Sequence, residues 1–495
     1  MSKIRLFFNI VLITSLFIPN KGYALGDFFQ EQLDMVNAVI KDQFQRVEEA
    51  VNTKYDEAVK VQTKVKDYIE EQQKKISDDV NNYVDKVKEN GRYLIDTWSF
   101  MPTDDPASRL ENPDLVLSVP SIISRNGYNC ETHTVLSEGF LLNVHRIPRS
   151  KHGGEIPKKT VLLQHGLFAS SADWILNGPE KSLGYVLADA GYDVWMTNIR
   201  GNKYSKEHAW LKENTKEYWN FSWNEVALFD IPAVIDYIRK VKGEDAKIAY
   251  IGHSMGTTIL FTMLSLRPEY NEKLSVGLAL APEVFISNMK SPIKSLASVT
   301  SHIAHTEMVY GAHEFLPKKS FLGQMNKMCE AQQMDSYVCD NVIFYICGAD
   351  DEQFNRTLLP FFLSNLGTGT SWKTALHMSQ LVLSEKFQQF DYGYADRNQR
   401  IYGSDTPPEY DLSKVTLNVT LFWAQNDLLS NEKDVMKLHE KLPSSTLYLV
   451  PFPKFNHIDY LWAKDAPRLV NAKVLEILDE AMKPEDRNLF FPFRF

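Results

Sequence analysis

Cysteine is scarce. Four thiols in 495 residues, at positions 130, 329, 339 and 347, are too few for a disulfide scaffold and show no paired metal-ligand spacing. Positive charge is not in excess either: 54 Lys and Arg stand against 63 Asp and Glu, for a formal net charge of -9, and no Lys/Arg block interrupts the chain. That balance leaves nucleic acid without an electrostatic footprint to bind. Long apolar runs are missing except for one, from Leu6 to Ile18, which is shorter than the ~20 residues of a spanning helix, so no transmembrane span is expected. Lys3 and Arg5 precede it and Gly22-Tyr23-Ala24 follows in small-x-small form, the layout of an export signal cleaved after Ala24. Glycine and proline almost vanish between Phe28 and Tyr93, which excludes a loop-rich module there. Apolar residues recur in that stretch three and four apart, through Leu33, Val36, Ile40, Val47, Val51, Ala58, Val61 and Val65, and charges of both signs fill the other faces. An amphipathic helix or helical pair is expected over 25–95, for self-association, packing on the main domain or contact with a lipid surface.

What is present is enough apolar material, 44% of the chain, to bury a large core. Beyond the Pro-rich connection from Pro102 to Pro120, short apolar runs alternate with helical segments, the pattern of a mostly parallel α/β sheet. Strands are expected over Thr160–Gln164, Asp193–Asn198, Lys247–Gly252, Val276–Leu280, Asn418–Ala424 and Ser445–Pro451. Between Pro282 and Tyr410 the alternation lapses into a Phe-, Leu- and Met-rich stretch that reads as a cap inserted over the sheet. The expected organisation is thus a signal over 1–24, a helical extension over 25–95, a first core part over 96–281, a lid over 282–410 and a second core part over 411–495. Export makes Asn220, Asn355 and Asn418 candidate glycan acceptors. Asn220 is the least favoured, because Trp219, Phe221 and Trp223 around it look buried.

Gly252-His253-Ser254-Met255-Gly256 fits G-x-S-x-G, which a chain of this length matches by chance roughly 0.2 times. Context adds weight: the strand ending at Ile251 and the apolar helix beginning at Thr257 put Ser254 on a sharp strand-to-helix turn. A serine hydroxyl needs a base to take its proton and a carboxylate to orient that base. Asp427, after the strand Val419–Ala424, and His457, in a loop after Pro451 and Pro453, supply both in the order Ser, Asp, His. Asp434 and Asp459 are the rival acids, the first expected on a helix and the second too close to His457 in sequence. Backbone amides of Met255, next to the nucleophile, and Leu167, in the turn His165-Gly166-Leu167, are the expected oxyanion donors. His165 itself is given no catalytic role. The chemistry needs no metal and no cofactor.

With these residues in place the chain resembles the acid lipases, the gastric and lysosomal lipases of the α/β-hydrolase fold. The resemblance runs from about Asn112 to Pro467, through Leu163-Gln-His-Gly-Leu167, Asn198-Ile-Arg-Gly-Asn202, Trp219-Asn-Phe-Ser-Trp223, Leu280-Ala-Pro282, His377-Met-Ser-Gln380 and Phe390-Asp-Tyr-Gly393. It implies Ser254, Asp427 and His457 as the triad, Leu167 and Met255 as oxyanion donors, and a lid cystine between Cys329 and Cys339 that leaves Cys347 a free thiol. It also implies a lipid ester, triacylglycerol or cholesteryl ester, met at a lipid–water interface by a secreted or lysosomal enzyme. Two departures stand out: Met255 replaces the usual Gln, and Leu366-Gly-Thr-Gly369 lacks the usual Pro-Ala. A non-catalytic lipid carrier using the same pocket, and a serine peptidase on the same fold, are the alternatives.

Overall fold

The computed structural model describes residues 117–294, 343–359 and 369–483, together with 297, 314, 315, 361 and 365. The export signal, the helical extension over 25–95 and the Cys329–Cys339 pair lie outside the described residues.

Eight strands form one sheet in the order β1-β2-β4-β3-β5-β6-β9-β10. They are β1 (Glu131–Ser137), β2 (Phe140–Ile147), β3 (Thr160–Gln164), β4 (Asp193–Met196), β5 (Ile248–His253), β6 (Leu274–Leu280), β9 (Val419–Trp423) and β10 (Ser445–Leu449). The six strands from β4 to β10 run parallel, while β1 pairs antiparallel with β2, and β2 with β4. The remaining two, β7 (Glu314–Phe315) and β8 (Thr370–Ser371), form a separate two-residue ladder.

The central strands β3, β5 and β9 are buried along their whole length, as a parallel sheet covered on both faces requires. Alternate residues feed two cores. Leu162, Ile248 and Tyr250 point into one with the helices α3 (Ile231–Lys242), α4 (Met255–Leu266) and α7 (Glu432–Lys441). Val161, Leu163, Ala249 and Ile251 point into the other, with α1 (Val119–Arg125), α2 (Leu183–Asp189) and α8 (Ala472–Ala481). In the insertion after β6 lie α5 (Trp372–Ser384) and α6 (Ala395–Tyr402). All six expected strands are present, with ends shifted by a few residues; the β1–β2 hairpin was not among them. Its tight turn places Glu138 at φ 46° and Gly139 at φ 95°, and a Cβ on Gly139 would lie 2.4 Å from the His208 ring. Asn220 is exposed although Trp219, Phe221 and Trp223 beside it are buried, so the aromatic neighbours turn inward without taking the asparagine with them. Asn418 is also exposed and Asn355 half-buried.

Candidate active site

Ser254 joins β5 to α4 with φ 55° and ψ -125°, a conformation costly for a residue with a side chain. Two glycines make the turn possible. A Cβ on Gly252 would lie 2.7 Å from the Gly256 carbonyl, and one on Gly256 only 2.4 Å from the Gln164 carbonyl oxygen, so α4 starts in backbone contact with the end of β3. Gly166 lies on the other side, where an added Cβ would come within 3.0 Å of the Ser254 Cβ. Leu167 follows it. Among the described residues the backbone amides of Leu167 and Met255 donate to no protein acceptor, and Met255 is the first residue of a twelve-residue helix, where amides are unpaired and the dipole favours negative charge.

Asp427 and His457 come together from the loops after β9 and β10. His457 Nδ1 lies 3.1 and 3.0 Å from the two Asp427 oxygens. The Asp427 carboxylate is itself held by the amides of Leu429 and Ser430 at 2.9 and 2.8 Å, so it has one orientation to offer. Burial opposes the imidazolium form of His457, but the Asp427 charge and hydrogen bond, joined by Glu283, outweigh it and leave its pKa raised. The rival acids face elsewhere. Asp434 accepts from the Asn288 amide and side chain, both at 2.7 Å, and Asp459 from the Asn456 amide at 2.7 Å. Burial is the main reason that the Asp459 carboxyl and that of its neighbour Asp350 both titrate high.

Two other histidines in the neighbourhood are structural. His253 donates from Nε2 to the His457 carbonyl at 2.9 Å, and burial pushes its pKa down to about 3. His165 donates from Nδ1 to the Gly166 carbonyl at 2.8 Å, and burial holds it at about 4. Both are neutral supports.

The insertion reaches the site through residues 347–349. The Cys347 carbonyl accepts from the amides of Leu428 and His457, each at 3.3 Å. The carbonyl of Gly348 accepts from Asn456 Nδ2 at 2.8 Å, and that of Ala349 from Asn426 Nδ2 at 2.9 Å. Gly348, at φ 113°, is required: a Cβ there would sit 2.1 Å from the Asn426 carbonyl oxygen. This short strap stitches the Asp427 loop to the His457 loop. Cys347 is a buried free thiol, pushed well up by burial and by the carboxylates around it.

One residue at the site was not anticipated. Ser254 Oγ donates to Glu283 Oε2 at 2.9 Å, and His457 Nε2 lies 3.8 Å from Glu283 Oε1. Glu283 carries no motif, and the only signal was a lone acidic residue within the apolar run from Leu274 to Ile286. Among the described residues no group of three or more His, Cys, Asp or Glu could hold a metal, and no helix is long and apolar enough to cross a membrane.

Comparison with known proteins places this geometry in context. Residues 119–178 match the family described as partial alpha/beta-hydrolase lipase region, and residues 159–275 match the alpha/beta hydrolase fold. Gastric triacylglycerol lipase of Bos taurus is 39% identical over 381 residues, covering 75% of this chain and 94% of that protein. Lipase 3 of Drosophila melanogaster is 42% identical over 359 residues, covering 72% and 91%. The human gastric triacylglycerol lipase is 35% identical over 375 residues, covering 75% and 93%. A soluble variant of monoglyceride lipase from Saccharomyces cerevisiae overlays with a TM-score of 0.45 at 15% identity, covering 74% of this chain and 97% of that one. With its sheet order, its strand-to-helix serine turn and the gastric lipases and Lipase 3 as relatives, the chain belongs to the acid lipase family of carboxylic ester hydrolases on the α/β-hydrolase fold.

Proposed function

We propose that this chain is a secreted or lysosomal lipase that cleaves triacylglycerol or cholesteryl ester by way of an acyl-enzyme on Ser254. The observation that carries the reading is the buried His457–Asp427 pair beside a serine on a strained strand-to-helix turn. His457 Nε2 takes the Ser254 hydroxyl proton as Oγ adds to the ester carbonyl. The oxyanion so formed receives the amides of Leu167 and Met255. Collapse breaks the bond to the alcohol, whose oxygen takes the proton back from His457. Water then repeats the sequence, giving its proton to His457 and releasing the fatty acid from Ser254. Asp427 stays ionised throughout and fixes the imidazole tautomer. The relatives named for triacylglycerol support that ester; the cholesteryl ester rests on family resemblance. The insertion over 282–410 serves as an apolar lid over the acyl chain at a lipid–water interface, and Asn355, Asn418 and Asn220 are the glycan acceptors.

The deciding experiment is hydrolysis of emulsified triolein and cholesteryl oleate, from acid to neutral pH, by wild type and Ser254→Ala. Turnover of either ester that disappears in the variant is the expected result. A specific observation favours one rival: the Ser254 hydroxyl bonds Glu283 rather than His457, as it could in a lipid carrier that performs no chemistry. A wild type that neither turns over an ester nor reacts with a fluorophosphonate serine probe would decide for the carrier.

A further inference from the structure

The approach of Glu283 to the nucleophile is built into the backbone. After β6 the chain turns through Ala281, a non-glycine residue at φ 52°, and Pro282, whose carbonyl accepts from Ser430 Oγ at 2.8 Å. The Glu283 amide then donates to Thr257 Oγ1 at 3.0 Å, and its carbonyl accepts from Thr258 Oγ1 at 2.6 Å. Both threonines lie in the first turn of α4, directly after Ser254, so the nucleophile's own helix holds Glu283 in place. Its side chain is 5% exposed and its two oxygens face the two reacting groups, Oε2 toward Ser254 Oγ and Oε1 toward His457 Nε2.

We propose that Glu283 is a second catalytic carboxylate, which holds the Ser254 hydroxyl at rest and pairs with the His457 imidazolium from the Nε2 side, opposite Asp427. The proposal rests on the triad reading above. In the resting site the hydroxyl hydrogen points at Glu283. For attack it turns to His457 Nε2, and the cation that forms then lies between two carboxylates, one on each nitrogen. Such a bracket makes His457 a stronger base and also keeps it protonated to higher pH, where it cannot act. Glu283 and His457 therefore titrate as a pair, and the acid limb of activity belongs to both. Burial drives the Glu283 carboxyl up, and the His457 charge and Ser254 hydroxyl offset this only in part. The other groups around His457 are accounted for. Asp427 sits on Nδ1, and His253 is neutral, with its ring centroid 5.0 Å away. The Asp350–Asp459 pair, the Cys347 thiol and Tyr460 all have pKa values raised, chiefly by burial.

The test is kcat/KM against pH on p-nitrophenyl butyrate, a soluble ester that needs no interface, for wild type, Glu283→Gln, Glu283→Val and Ser254→Ala. Gln keeps the shape and an acceptor for the hydroxyl but removes the charge; Val removes both. The expected result is an acid limb moved toward lower pH by about one unit in both Glu283 variants, since a carboxylate no longer favours the imidazolium, with a lower plateau for each. A merely structural role would lower the rate at every pH and leave the limb where it was. Acid limbs that coincide with wild type, while Ser254→Ala is silent, overturn the role of Glu283 alone. Hydrolysis that survives in Ser254→Ala overturns the triad reading and this one together.

Discussion

The Asp427–His457 contact is a statement about tautomers. A carboxylate facing Nδ1 keeps the proton there and the lone pair at Nε2, where a base must have it. Asp427→Asn preserves the shape but presents a donor or a weaker acceptor, and we expect kcat on a soluble ester to fall by about 10⁴-fold with little change in KM, as measured by initial rates. Gly256→Ala acts through space rather than charge. Its new methyl meets the Gln164 carbonyl at the start of α4, so the melting temperature should drop by several degrees and Ser254 should react more slowly with the serine probe. At this scale the sequence was legible wherever chemistry leaves a motif: Ser254 through its flanking glycines, Asp427 and His457 through their place after apolar strands. Glu283 was not legible, because its place beside Ser254 depends on Thr257 and Thr258 pinning a turn that only tertiary structure reveals.

Among elements, the joint between the β1–β2 hairpin and the segment leading into α3 rests on one cation. Arg200 is buried, pairs with both Asp230 oxygens at 2.9 and 2.6 Å, reaches Glu138 at 3.2 Å and lies over the Phe140 ring at 4.7 Å. Removing it strands the Asp230 carboxylate in the core. Arg200→Met is expected to cost about 3–5 kcal/mol of stability in denaturant unfolding. Asp350, in the insertion, and Asp459, in the helical turn that follows His457, are neighbouring carboxyls whose folded pKa values are raised, chiefly by burial. The folded state thus binds their proton more tightly than the unfolded chain, so stability is largest below the ordinary carboxyl value and falls as pH climbs through the raised ones. Asp459→Asn has no proton to lose; its melting temperature should decline less from acid to neutral pH than that of wild type. Five of the six parallel strands were readable because a strand buried on both faces is a continuous apolar run, whereas β10, at the sheet edge, is only partly buried. The hairpin was not, since β1 is exposed at alternate positions and polar residues on both strands, Glu131 and His133 on β1 and Asn143 on β2 among them, break the pattern.

For the whole molecule, the relatives align with about three quarters of this chain while more than nine tenths of the bovine lipase is covered, and we propose that the segment 25–95 is extra to the hydrolase unit. A chain lacking 25–95 should hydrolyse p-nitrophenyl butyrate at the wild-type rate. If the segment drives self-association, light scattering should give a smaller mass for the truncated chain; an unchanged mass would remove that role. The strap at 347–349 has a consequence of another kind. Lids are natural units to exchange between related lipases when ester preference is to be altered, and the obvious graft boundaries are the ends of the insertion. Here the insertion carries within it the three carbonyls that join the Asp427 loop to the His457 loop, and Gly348, where a Cβ would lie 2.1 Å from the Asn426 carbonyl oxygen. A transplanted insertion therefore brings its own alignment of the Asp427 and His457 loops, and on the triad proposed above a chimera made to change substrate would also inherit, or lose, the machinery that acts on it.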